Sequence, residues 1–221
     1  MAKPKHFIVL GLGTFGSALA VKLHQNGCRV TGVDASRERV ESLKNFLYEA
    51  VISNAADRES LQNLSLREAD AVFISLGENI SLSLLAALHA KELGARRVIA
   101  KGVTAEHGKI LKHLGVERVV FPETEIAEDL ADRATWPNVI DFLPIDPEYS
   151  FVEIAVPDSF VGQTLSEVDL RRRAGVWVVG VKDVLSGKLQ MIPSAEFRFG
   201  ADQLLLAIGK GEDLTRLREL K

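Results

Sequence analysis

The sequence predicts an α/β protein: a doubly wound parallel sheet followed by a second, smaller α+β domain. Three observations carry this. Over the first 122 residues short apolar runs alternate with helix-length amphipathic runs, the pattern of parallel strands joined by helical crossovers. The first apolar run leads straight into GLGTFG (11–16), a G-x-G-x-x-G spacing that needs a strand before it and a helix after it. Prolines at 137, 144 and 147 then interrupt the helical pattern, and beyond them the alternation is that of half-buried strands. A first domain is therefore expected over residues 1–136, a linker or hinge over 137–149 and a second domain over 150–221.

In chain order, FIVLG (7–11), RVTGVD (29–34), EAVISN (49–54), ADAVFISL (69–76), RVIAK (97–101) and RVVFP (118–122) read as buried strands, rich in Val and Ile and bounded by turn signals. Among the helices between them NISLSLLAALHAKELG (79–94) is the clearest. Its Leu82, Leu85, Ala86 and Leu93 fall close to one face, and Gly94 stops it. Asn26-Gly27 and Leu114-Gly115 end two others in the same way. ETEIAEDLADRATW (123–136) is one more helix, its acids biased to the first half as the helix dipole favours.

In the second domain FVEIAVP (151–157) is a strand, and TLSEVDLRRRAG (164–175) a helix with a Thr-x-x-Glu capping box and a terminal glycine. VWVVGVKD (176–183), LQMIP (189–193) and QLLLAIG (203–209) follow as strands, with LSGK (185–188) a hairpin turn and GEDLTRLREL (211–220) a short helix. A core of about 70 residues supplies little stability alone, so this domain is expected to dimerise or pack on a partner.

Composition narrows the function. The net charge of -3, with basic residues scattered apart from RRR at 171–173, leaves no footprint for nucleic acid. The longest uncharged stretch, Phe7 to Val21, is shorter than a membrane span and holds three glycines. No signal peptide is read at the N-terminus, and a single cysteine, Cys28, permits no internal disulfide, which fits a reducing cytoplasm.

The glycine loop has a mechanism. Gly11 permits the tight turn, Gly13 lets backbone approach a pyrophosphate, Gly16 allows close helix packing, and the helix N-terminus faces the phosphates. Asp34, 18 residues after Gly16 at the end of the second strand, would accept from ribose hydroxyls and would repel a 2′-phosphate. Arg37 and Arg39 read as solvated first-turn residues of the next helix. NAD, NADH, ADP, ATP and AMP share the part such a loop reads.

Chemistry downstream is missing. A dehydrogenase needs a proton-transfer group near the nicotinamide, yet no histidine follows His113, and the five histidines show no metal-ligand spacing. Cys28 sits in an Asn-Gly-Cys turn and reads as a buried or turn cysteine. A nucleotide site without a catalytic constellation points to a sensor, in which ligand shifts an equilibrium between two arrangements.

FIVLGLGTFGSALAVKLHQNGCRVTGVD, AVISNAADRESL, ADAVFISLGENISLSLLAALHAKELGARRVIAK, KILKHLGVERVVFPE and FGADQLLLAIG together resemble the RCK family, regulators of potassium conductance. The likeness extends over essentially the whole chain and is greatest to cytosolic regulatory subunits of Ktr and Trk type potassium-uptake systems. It implies a Rossmann-like first lobe with a crossover helix, a small TrkA-C type second lobe, and homodimers assembled into octameric rings. The rings would lie at the inner face of the cell membrane, under a membrane-embedded potassium-translocating subunit. An adenine nucleotide (ADP, ATP or NAD(H)) would change the ring's shape and gate flux without catalysis. By position, Gly11, Gly13, Thr14, Phe15 and Gly16 would line the cofactor and Asp34 its ribose. Asn54, Ala55 and Asp57 would edge the adenine, and Ser75, Gly77, Glu78 and Lys101 would approach the phosphates. Glu123 resembles an acid that helps hold a divalent cation. Asn54 and Asp57 have the alternative of capping the next helix, Lys101 of a solvated strand end, and Glu123 of a first-turn acid.

One position departs from the family. Members gated by ATP commonly carry Arg where this chain has Thr14, whose hydroxyl can bond a phosphate but lacks fixed charge and reach. The choice among ATP, ADP and NAD stays open. Some relatives bind cyclic di-AMP in the small lobe; Leu165, Asp169 and Arg171 fall near those places, with Ser166 where an aliphatic residue is usual, while RRR as a solvated face is the alternative. A small NAD-dependent oxidoreductase and a stand-alone nucleotide-binding protein are the competing readings.

Overall fold

The structure, a computed structural model, describes residues 4–77, 79–135, 139–146 and 148–220. The chain packs as two compact units, Met1–Glu123 and Thr124–Lys221. In the first, β1 (His6–Leu10), β2 (Arg29–Asp34), β3 (Glu49–Ile52), β4 (Ala71–Ile74), β5 (Val98–Lys101) and β6 (Arg118–Val120) form a parallel sheet ordered β3-β2-β1-β4-β5-β6. This is the expected doubly wound sheet. Between the strands run α1 (Thr14–Gln25), α2 (Arg37–Leu43), α3 (Arg58–Gln62), α4 (Ile80–Glu92) and α5 (Ala105–His113). Successive side chains of a strand point to opposite faces, so Ile8 and Leu10 enter a core with Ala86, Ala90 and Leu111, while Val9 enters one with Ala20 and Val40. Covered on both faces, β1 is apolar from Phe7 to Leu10.

Helix α4 differs from expectation. Ser83, Ala86, Ala87 and Ala90 are its buried face, while Leu82, Leu85 and Leu88 are 37%, 44% and 37% exposed. Small side chains let the helix sit close to β4 and β5, and an apolar helix can bury its alanines as readily as its leucines. Periodicity identified the helix without deciding which stripe turns inward.

The second unit is an antiparallel sheet ordered β10-β9-β11-β8-β7, built from β7 (Val139–Pro144), β8 (Tyr149–Ala155), β9 (Trp177–Asp183), β10 (Leu189–Met191) and β11 (Gln203–Lys210). Its core holds Phe160, Phe199, Leu205, Leu214 and Leu217. Helix α6 (Pro122–Thr135) enters this unit, and α9 (Gly211–Glu219) ends it. Residues 137–149, expected as a linker or hinge, instead contain β7, paired with β8. Pro144 ends β7 at the sheet's edge, where a missing N–H costs no ladder bond. Pro137, Asn138 and Pro147 of that stretch, and Trp136 before it, lie outside the described residues.

The expected helix over 164–175 is two short ones, α7 (Leu165–Val168) and α8 (Leu170–Arg173), divided at Asp169 with φ +46°. An aspartate tolerates this left-handed conformation better than most residues, which the capping-box pattern does not signal. The capping box itself forms: the Thr164 hydroxyl accepts from the Glu167 N–H, and the Glu167 carboxylate accepts from the Thr164 N–H.

Candidate functional site

Strand register lines up the candidate residues. Val33 pairs with Leu10, Leu10 with Ile74 and Ile74 with Ala100, so the next residues, Asp34, Gly11, Ser75 and Lys101, form one transverse row. At about 4.8 Å between strands the row spans about 14 Å. It lies at the carboxyl edge of the sheet, where open parallel sheets hold their ligands.

Two glycines are demanded by the loop itself. Gly11 has φ +95°, and a Cβ there would lie 2.2 Å from the Ser75 carbonyl oxygen; a Cβ on Gly16 would lie 1.9 Å from the Gly11 carbonyl oxygen. A Cβ on Gly13 would meet nothing within 4 Å, so that glycine leaves open space at the start of α1. The helices α2, α3, α4 and α5 are capped by the side chains of Ser36, Asp57, Asn79 and Thr104. The N-cap of α1 is Gly13, with no side-chain cap and no acid in the first turn. The first N–H groups of a helix have no partner within it and carry partial positive charge. Thr14, exposed, and Phe15, half-buried, thus begin a helix with bare donors beside open space, a cradle that fits a phosphate.

Asp34 is buried, and its carboxylate is already at work. Oδ2 accepts from the Leu12 N–H at 2.7 Å, Oδ1 accepts from the Ser36 N–H at 2.8 Å, and Arg39 Nη1 lies 3.4 Å from Oδ2. Asp34 therefore ties the glycine loop to the end of β2, and ribose hydroxyls would have to share it. A carboxylate accepts about four bonds, so one place is left. Arg39 is solvated as expected, its side chain 57% exposed, and is also this acid's ion-pair partner. Its spacing from Asp34 is the one sequence signal that could have shown it.

Asp57 caps the next helix, the local duty the sequence allowed as its alternative, whereas Asn54 closes a turn before that helix rather than capping it. Asn54 Oδ1 accepts from the Ala56 N–H at 3.0 Å, and Asp57 Oδ2 accepts from the Ser60 N–H at 2.9 Å as the cap of α3. The Ser60 backbone bond, then its hydroxyl, holds the Asp57 carboxyl below the ordinary aspartate range. Ala55 is buried, and the segment lies beside Asp34, whose carbonyl accepts from the Ser53 N–H at 3.0 Å. Sequence reasoning missed His89 of α4, whose Nδ1–H donates to the Ala56 carbonyl at 3.0 Å and tethers this segment.

At the far end of the row Ser75 is buried, Gly77 takes φ +61°, and Glu78 lies outside the described residues. Phe15, Ser75, Ile99, Lys101 and Val120 line a cavity of about 230 Å³. The Lys101 ammonium is ion-paired with Glu123 Oε1. That bond, and next the Glu123 backbone N–H, hold the Glu123 carboxyl below the usual glutamate range. Among the described residues no group of three or more His, Cys, Asp or Glu side chains could hold a metal ion. A cation at Glu123 would therefore need further oxygens from a ligand or a second chain.

In the second unit Leu165 packs against the core and Ser166 Oγ lies 3.0 Å from Thr164 Oγ1. The arginine run has specific partners: Arg171 stacks over Trp177 at 4.2 Å, Arg172 faces Asp169 at 3.8 Å, and Arg173 Nη1 donates to the Val168 carbonyl at 3.3 Å.

Residues 7–122 match the TrkA-N domain family and residues 151–221 the TrkA-C domain family. The chain is 33% identical over 216 residues to Ktr system potassium uptake protein C of Bacillus subtilis, covering 97% of this chain and 96% of that one. It is 32% identical over 178 residues to Ktr system potassium uptake protein A of Vibrio alginolyticus, covering 80% and 81%. A structure of the GsuK channel bound to NAD superposes with a TM-score of 0.64 at 21% identity, covering 99% of this chain and 39% of that longer one, a likeness of fold. No helix of the described residues is long and apolar enough to cross a membrane.

Proposed function

This chain belongs to the family of paired TrkA-N and TrkA-C domains, and from that premise we propose that it is a nucleotide-sensing regulatory subunit of a membrane potassium transporter. The observation that carries the reading is the uncapped start of α1 beside the row of Asp34, Gly11, Ser75 and Lys101, in a chain related along its length to potassium uptake proteins. The N–H groups of Thr14, Phe15 and Gly16 receive the phosphates, and Gly13 leaves room for them. The remaining Asp34 acceptor takes a ribose hydroxyl, the segment Asn54, Ala55 and Asp57 borders the adenine, and Ser75, Gly77 and Lys101 face the phosphates. Glu123 contributes one ligand to a divalent cation. Binding acts by differential affinity for two shapes of a homo-oligomer, dimeric or a larger ring, seated on the inner side of the membrane against a potassium-translocating subunit, with no chemical step. A cyclic dinucleotide site on Leu165, Asp169 and Arg171 of the small domain, with Ser166 departing from the usual aliphatic residue, belongs to the same reading.

The test is calorimetric titration with ATP, ADP, NADH and cyclic di-AMP. Wild type should bind at least one of the first three, and Asp34→Ala should weaken that binding at least about tenfold, a loss of one charge-assisted bond or more. Asp34→Asn, which keeps an acceptor for the Leu12 N–H, should fall between them. Absence of adenine-nucleotide binding, or unchanged affinity in a folded Asp34→Ala protein, would overturn the reading.

A further inference from the structure

The ion pair at the end of the row joins two unlike groups. The Lys101 side chain is 16% exposed, held at the end of β5 in the row that contains Gly11 and Ser75, whereas that of Glu123 is 70% exposed, on the first turn of α6. A cation held with so little contact with water is stabilised by an anion beside it. Among the described residues Glu123 is its ion-pair partner, reaching in from the surface. The lysine is thus fixed by its surroundings and the glutamate is the exchangeable member. A phosphate oxygen can accept the same charge-assisted bond, but phosphate and carboxylate on one ammonium repel each other.

We propose that Glu123 is an internal anion standing in for a ligand phosphate, so that an adenine nucleotide displaces it from Lys101 and frees the first turn of α6. This rests on the reading that the carboxyl edge binds a nucleotide. Displacement is inexpensive for Glu123, because its carboxylate moves into water and stays next to the positive end of α6. The consequence is local but well placed: α6 begins at Pro122, directly after β6, and carries the chain out of the first unit into the second. Occupancy at the row is thereby converted into the presence or absence of one contact at the root of that helix, a bias on a two-state element rather than a rigid push. It also orders events at the site, since Glu123 becomes available to a divalent cation only after Lys101 has turned to phosphate.

The experiment is titration of ADP into wild type, Glu123→Gln, Lys101→Met and the double variant in the presence of EDTA, with hydrogen exchange of residues 123–128 followed in parallel. Removing the competing charge should tighten ADP binding to Glu123→Gln roughly two- to fivefold, the scale of a partly exposed ion pair. Lys101→Met should weaken binding and abolish the difference in the double variant. ADP should speed exchange at the start of α6 in wild type, and Glu123→Gln should already exchange fast without it. Wild type that binds ADP, with Glu123→Gln equal or weaker in EDTA, overturns this inference and leaves the nucleotide site standing; a wild type that binds no adenine nucleotide removes both.

Discussion

The two edges of the parallel sheet are made from opposite ends of the same strands and differ in what they leave open. At the amino edge His6 Nε2–H donates to Thr31 Oγ1 at 3.0 Å and Thr31 Oγ1–H donates to Glu49 Oε2 at 3.1 Å, a chain across three adjacent strands. Thr31 has one proton and gives it to the carboxylate, which assigns the His6 tautomer. The His6 backbone N–H donates to Asp70 Oδ2 at 2.7 Å, and the Arg29 guanidinium rests 3.9 Å from the centre of the Tyr48 ring. Most of these groups bond one another within the chain, although Arg29 Nε is buried without a hydrogen-bond partner among the described residues, and their cavity, about 620 Å³, is larger than that beside Lys101. At the carboxyl edge α1 lacks a cap, Gly13 faces open space, and Lys101 depends on a surface carboxylate. What sets the proposed nucleotide edge apart is the bare start of α1 beside open space, not cavity size.

If that contrast holds, substitutions at the two edges should separate binding from stability. The largest effect is expected of Gly16→Ala, whose Cβ would lie 1.9 Å from the Gly11 carbonyl oxygen. No flexible side chain can yield there, so the loop must move, destabilising the protein by about 3 kcal/mol in urea unfolding and abolishing nucleotide binding. Stability unchanged within error would show that the loop is not packed as described. Thr31→Val keeps the shape of a side chain that is 2% exposed but breaks the amino-edge chain. It should cost about 1 kcal/mol in the same unfolding measurement and leave ADP affinity as in wild type; a change in affinity would collapse the distinction between the edges.

The smallest effect is a pH dependence. Burial, followed by the Arg29 charge, lowers the pKa of His6 below 6.5 against the opposing pull of Glu49, Asp70 and Glu68; burial alone lowers that of His107, which is 1% exposed. For a histidine depressed in the folded state, the unfolded chain binds the proton first. Stability is then complete above about pH 6.5 and is lost as pH falls through the folded-state value. Urea unfolding at about pH 7.5 and about pH 5.5 should show the loss, and His6→Gln with His107→Gln should reduce it. An equal loss in that double variant would assign the dependence to other groups.

Much of the candidate site was legible as local sequence pattern. The glycine spacing, the strand before it, the helix after it and Asp34 at the end of the next strand are local features, because a parallel sheet of this kind repeats one short unit. Ser75 and Lys101 were placed by resemblance, and register puts them in one row with Gly11 and Asp34, since they follow Ile74 and Ala100. What escaped were contacts between side chains distant in sequence or of ambiguous direction. Arg39 turns back to Asp34, His89 ties α4 to Ala56, and Lys101 finds Glu123 from 22 residues away. The prolines at 144 and 147 read as a break, yet a strand precedes Pro144, because an edge strand tolerates a proline that a central one would not.

By itself the sequence determined the two-part architecture, the glycine loop and the acid that faces it, since each rests on backbone conformations and periodicities that neighbouring residues impose. Tertiary structure alone decided how those groups are employed: that Asp34 holds the loop, that Ala86, Ala87 and Ala90 of α4 go inward while Leu82, Leu85 and Leu88 stay exposed, and that Lys101 already has an anion. Each of these depends on which distant groups arrive within a few ångströms, and a contact of that kind leaves no period in the chain.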